Sequence, residues 1–214
     1  MRLTPKNISC LTRRLAGLLC VTCLWPLPVA AQDVEVRICF DYACAHQAEA
    51  RFDAATMASV AQLFEGVSDA ADERLRLAHG VAQLYLAASL QTPIWRDRGG
   101  NRNDDNTVPG AMDCIDHSTN TTQFLRLMAR AGMLQFHQVE QPVRRVRWLV
   151  AEHWSARVVE SVTGNEYAID SWFYDLGTPA VVMRLADWRD GAPPVPPPLL
   201  PPVPPSVFLQ AAWQ

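Results

Sequence analysis

The hydrophobic period of this chain changes between its middle and its C-terminal half, and that change restricts the folds open to it. Between residues 53 and 131 apolar side chains recur at steps of three and four, as on helices; between 144 and 173 they alternate, as on strands. One alternating stretch, Val34–Phe40, stands apart near the start. Segregated helix and strand patterns predict an α+β domain in which helices pack on an antiparallel sheet.

The helical part divides at its punctuation. Asp53 caps a helix whose inner face is Met57, Val60, Ala61 and Phe64, and Gly66 ends it. Ser68 and Asp69 open a longer amphipathic helix through Leu75, Ala78, Ala82, Tyr85 and Leu86 toward Leu90, in which His79 reads as a structural histidine. Residues 92–110 have no period and are dense in Gly, Asn, Asp and Arg. Asn101, Asn103, Asp104 and Asp105 lack the glycine and terminal glutamate of a calcium loop, so a solvated loop is expected, with Trp95 packing or walling a cleft. A third helix begins at Cys114, carries Phe124, Leu125, Met128 and Ala131 on one face, and stops at Gly132.

Residues 144–161 read as one or two strands, with Arg144, Arg145 and Arg147 as a solvated face and His153, Ser155 and Arg157 sharing another. Thr163, Gly164 and Asn165 form a turn, and residues 167–173 return as the next strand. Nine of the thirteen residues in 193–205 are proline. That stretch is expected to be a polyproline II spacer or protein ligand outside the core.

The first 31 residues read as a removable leader. Arg2, Lys6, Arg13 and Arg14 precede a short apolar run at 15–25, and Val29, Ala30 and Ala31 offer a cleavage site. Export, to a periplasm-like compartment, is therefore expected, with membrane attachment only through an uncleaved leader. The expected division is leader 1–31, domain 32–190 and tail 191–214. Without the leader, 15 basic residues face 22 acidic ones, a net charge of −7 with no lysine. A surface so acidic does not suit nucleic acid. Three cysteines remain. Cys39 and Cys44 are close enough in sequence to close a small disulfide loop, which leaves Cys114 as the odd thiol.

Cys114 is the residue with chemistry to offer. A thiol at a helix start meets unpaired N–H groups and the positive end of the macrodipole, both of which favour thiolate. Catalysis by it requires a base and a group to orient that base. His153 on one strand and Asp170 on the next follow in that order. His117, three residues past Cys114 on the same helix, is the rival base. A zinc set of Cys114, His117, His137 and His153 has no supporting spacing, so neither metal nor cofactor is expected.

Cys114 at a helix start, His153-Trp154 on a strand and Tyr167-Ala168-Ile169-Asp170 on the following strand resemble the transglutaminase-like branch of the papain-like superfamily. The resemblance covers residues 112–172. It implies a papain/transglutaminase-like α+β fold, with N-terminal helices and the nucleophile helix packed on an antiparallel sheet. It also implies roles: Cys114 as nucleophile, His153 as general base and acid, Asp170 as the orienter of His153, and the Cys114 N–H as an oxyanion donor. A tight turn at Gly164 places Asp170 opposite Ala156 or Arg157, roughly 10 Å along the strand from His153. Contact then needs a bulge or a turn centred nearer Val162, and Asp175 stands as the alternative orienter. The expected function is thiol-dependent acyl transfer on a protein or peptide substrate, as peptidase, amidase or transferase. The alternative is a non-catalytic periplasmic binding module with the same fold.

Overall fold

A computed structural model of the protein describes residues 33–101, 108–147 and 151–200. The leader, Asn103, Asp104 and Asp105 lie outside that set, as does the tail beyond residue 200. The described chain is α+β. It opens on a hairpin of β1 (Val34–Phe40) and β2 (His46–Phe52), followed by α1 (Ala54–Leu63) and α2 (Ala70–Ser89). Next come a single 3-10 turn at Pro93–Arg96 and α3 (Cys114–Arg130). The strands β3 (His137–Val139), β4 (Val143–Arg147), β5 (Ala151–Glu160), β6 (Glu166–Asp170) and β7 (Val181–Arg184) follow, and α4 (Leu185–Asp190) closes the set. The N-terminal helices are thus preceded by a two-stranded unit of which only the first strand was expected. The second, His46-Gln47-Ala48-Glu49-Ala50-Arg51-Phe52, buries only Ala50 and Phe52 and so carries a weak alternating signal.

The five later strands form one antiparallel sheet. β3 and β4 lie on the same edge of β5: His137 pairs with Glu160, and Arg147 pairs with Ala151. Pro142 falls between them, where a residue with no N–H donor interrupts the ladder. The β5–β6 turn is longer than a tight Gly164 turn. Glu160 pairs with Asn165 across it, and Gly164 takes the left-handed conformation with φ at 71°. The ladder runs from Val159↔Glu166 to Ala156↔Ile169, so its next step sets Asp170 beside Ser155. Asp170 therefore falls two residues from His153 on the same face, a diagonal that side chains span without a bulge.

α3 is buried on nearly every side, against α2, β1 and β5. Its apolar contribution is Phe124, Leu125, Leu127 and Met128, packed with Phe52, Leu77, Val81, Leu84 and Tyr85. Its buried polar side chains all find partners, as burial requires. Asn120 makes a two-way contact with the Cys39 backbone (2.8 and 2.8 Å), Thr121 meets Tyr85, and Thr122 donates to the Ser118 carbonyl. A smaller cluster of Val143, Ala168, Leu185 and Trp188 seats α4 on the sheet.

The proline-rich stretch lies against the domain as far as residue 200. Tyr174 donates to the Pro194 carbonyl (3.2 Å), and His79 lies 3.0 Å from the Pro198 carbonyl. Val195 and Pro196 to Pro198 line a cleft with Leu75 and Val182, and Leu200 packs on the main core. Carbonyls freed by the missing ladder serve as acceptors for side chains, so a polyproline segment joins the fold without joining a sheet.

Candidate active site

α3 begins where two carboxylates hold it. Asp113 accepts from the N–H groups of Ile115 and Asp116 (2.9 Å each), and Asp116 accepts from the N–H of Asp113 (3.2 Å), which closes a capping box. The other oxygen of Asp113 and both oxygens of Asp116 reach the β1–β2 connection. Asp41, Tyr42, Ala43 and Cys44 all have φ between 51° and 66°, a left-handed run without glycine. Such a run costs about 1–2 kcal/mol per residue. It is held at three amides: Tyr42 and Cys44 donate to Asp116 (2.9 and 2.6 Å), and Ala43 donates to Asp113 (3.0 Å). Asp41 binds to the segment that leads into α3, accepting from Gly110 (2.6 Å) and donating its own N–H to the Ala111 carbonyl (2.8 Å). The Cys39–Cys44 disulfide closes the loop, and Cys114 is a free thiol. One consequence is electrostatic. Burial, with the Asp113 charge beside it, pushes the Asp116 carboxyl up to about 6.

His153 and Asp170 are in direct contact. Nε2 of His153 lies 2.7 Å from Oδ2 of Asp170, and both side chains are buried. The same oxygen accepts from the Trp188 indole (2.8 Å), while Oδ1 accepts from the Trp172 N–H (3.2 Å). Rings of Trp172, Phe173 and Trp188 surround the imidazole at 4.7, 5.3 and 5.6 Å. With Nε2 engaged, Nδ1 is the ring nitrogen with no hydrogen bond among the described residues. Asp175 plays another part: it accepts from the Gly99 N–H (3.0 Å) and fastens the long loop.

Cys114, the first residue of α3, sits half-buried against β5, where the Trp154 N–H and its own N–H favour charge on its sulfur. These amides do not win. Burial pushes the thiol up to about 11, and the Asp113 and Asp170 charges add to the rise. The expected low-pKa thiolate is therefore reversed, because desolvation exceeds the field of one helix end.

Arg145 departs from the solvated face assigned to it. It pairs across from His153, stacks its guanidinium over Trp188 at 4.5 Å and donates to the Trp188 carbonyl. Burial lowers its pKa, while the charges of Asp170 and Cys114 act the other way. Arg144 alone keeps the expected exposed position, paired with Glu152 (2.7 Å).

The other histidines are engaged elsewhere. His117 is buried between Asp97 (3.0 Å from Nε2) and Ser171 (2.9 Å from Nδ1), so the rival base has both nitrogens occupied. His137 is held by Glu73 (2.8 Å) and Arg74 (3.1 Å). The four residues weighed for zinc are thus divided among separate networks. Asp97, missed from sequence, ties the long loop to the helix by also accepting from the Met112 N–H (2.8 Å) and Asn101 (3.0 Å). Trp188 was missed as well, since a lone tryptophan near a tail carries no pattern. Among the described residues no helix is long and apolar enough to cross a membrane.

Comparison with models of protein families, with curated proteins and with solved structures finds no match to this chain.

Proposed function

We propose that this protein is a thiol-dependent acyl-transfer enzyme, a peptidase, amidase or transferase acting on protein or peptide amides. The observation that carries the reading is the buried His153–Asp170 pair (2.7 Å), with His153 on the strand whose next amide, at Trp154, favours charge on Cys114. The transglutaminase-like resemblance of the three residues supports it. The proposal extends to an exported protein of a periplasm-like compartment, in keeping with the leader pattern and the Cys39–Cys44 disulfide.

In this reaction Cys114 Sγ attacks the substrate carbonyl while its proton passes to His153. Asp170 holds Nε2 of the imidazole and stabilises the imidazolium formed. The tetrahedral oxyanion takes the Cys114 N–H, and Arg145 offsets the added negative charge. Collapse of the intermediate expels the amine, which leaves with the proton held by His153, and the acyl group remains as a thioester. Water or a second amine then attacks the thioester, giving its proton to His153, and the thiol is restored. A thiol raised to about 11 suits this general-base route better than a resting thiolate.

The same raised thiol favours a second reading, a binding module with this fold and no turnover. Iodoacetamide alkylation of Cys114 at neutral pH separates the two. Replacing His153 with alanine is expected to slow alkylation by about tenfold or more, with Asp170→Asn intermediate. Rates unchanged in both variants, with unchanged circular dichroism, would refute the triad and leave the binding module.

A further inference from the structure

We infer that the groove between the outward edge of β1, at Glu35 and Arg37, and the far end of α3 binds an extended acidic peptide as an added strand. This surface is separate from the Cys114 end. Arg126 and Arg130 follow Cys114 by roughly 18–24 Å of helix, at the usual rise per residue.

The strand edge is read from its bonds. Cys39 turns its N–H and C=O outward to Asn120, and Arg51, opposite Glu35, turns its own outward to Gln91 (2.9 Å each). In an antiparallel pair this orientation alternates, so Glu35 and Arg37 also point their backbone groups away from β2. The Arg37 carbonyl takes the Gln123 side chain (2.9 Å). The Arg37 N–H and the Glu35 C=O have no partner among the described residues. β1 thus presents a donor and an acceptor two residues apart, the spacing at which an incoming strand pairs.

The groove beside this edge has a volume of about 380 Å³ and is lined by Glu35, Arg37, Glu49, Gln123, Arg126 and Arg130 among others. Arg126 and Arg130 lie one helical turn apart and project beside Gln123. Among the described residues none of the three guanidiniums makes an ion pair. Glu35 is already held by Arg51 (2.8 Å), which leaves Glu49 as the acid facing three positive charges. In a chain that is acidic overall, this concentration of unpaired arginine selects negative side chains. The strand edge selects a peptide backbone over a free anion. A bound segment would alternate, with acidic residues turned to the arginines and the intervening residues turned away.

The test uses the full chain and three probes: a blocked hexapeptide of alternating aspartate and valine, its lysine–valine counterpart, and inorganic phosphate. Binding is followed by fluorescence anisotropy, and strand addition by hydrogen exchange at the Arg37 amide. The acidic peptide is expected to bind and to slow exchange at Arg37 by about tenfold, whereas the lysine peptide does neither. Combining Arg126→Glu with Arg130→Glu should weaken binding by about tenfold or more. The amide measurement needs no variant, so a folding defect in that double substitution leaves it standing. The inference is overturned if the acidic peptide fails to bind at millimolar concentration or leaves the Arg37 amide unprotected. It is overturned equally if phosphate protects that amide as well as the peptide does, or if the charge reversals leave peptide affinity unchanged.

Discussion

Replacing Asp116 with asparagine should destabilise the protein far more at pH 4.5 than at pH 7. Asp116 is fully buried and its carboxyl is raised from 3.8 to about 6, by burial first and the Asp113 charge second. The folded state therefore holds this proton more tightly than the unfolded chain. The associated stability is full below about 3.8 and is lost as pH rises through about 6. Ionised at neutral pH, the group costs the fold about 3 kcal/mol. Asparagine removes that cost but has one acceptor oxygen for three N–H donors, those of Tyr42, Cys44 and Asp113. That net figure already includes the bonds from these amides, and the acceptor lost in the variant offsets part of the gain at pH 7. At pH 4.5 the protonated wild type has regained about 2 kcal/mol that the variant cannot gain. Urea unfolding of both proteins at the two pH values measures the difference, and contributions from carboxylates remote from Asp116 cancel. A gap between wild type and variant that is equal at both pH values, or wider at pH 7, refutes the assignment of a buried, reluctantly ionised Asp116.

Truncation after Ala192 should lower the melting temperature measurably, because it removes the acceptors of Tyr174 and His79 and the Leu200 contact. An unchanged melting curve would mean that these contacts add nothing net. Trp188→Phe keeps most of the ring volume but deletes the indole donor to Asp170. It should slow Cys114 alkylation several-fold, with a stability loss of about 1 kcal/mol. Wild-type alkylation rates in that variant would show that Asp170 needs no second donor to hold His153.

Much of the helical part was legible because caps and stops are local. Asp53, Asp69 and Gly132 do what their positions predict, and α3 starts at Cys114 as its periodicity indicates. The His153–Asp170 contact was legible as a pair of residue types on successive strands, but its geometry was not. One step of register decides whether Asp170 or Asp175 faces the imidazole, and register is set by turn length, which Thr163-Gly164-Asn165 leaves open. Cys114 shows the opposite failure. The helix end was visible in sequence, whereas the burial that overrides it comes from β5, far along the chain. Arg145 was misassigned because a strand with arginines on both faces does not announce which face α4 will cover.

The left-handed run at 41–44 also bears on the order in which this molecule can assemble. Its amides depend on Asp113 and Asp116, about 70 residues later in the chain. Before α3 is present, four residues in that conformation cost several kcal/mol with nothing to offset them. The hairpin tip is therefore expected to form late despite its early place in the sequence. Geometry that brings Cys39 and Cys44 together becomes favourable only when the thiol-bearing helix has docked. Closure of the disulfide is then expected to follow docking of α3, so that the covalent bond would latch an arrangement already made.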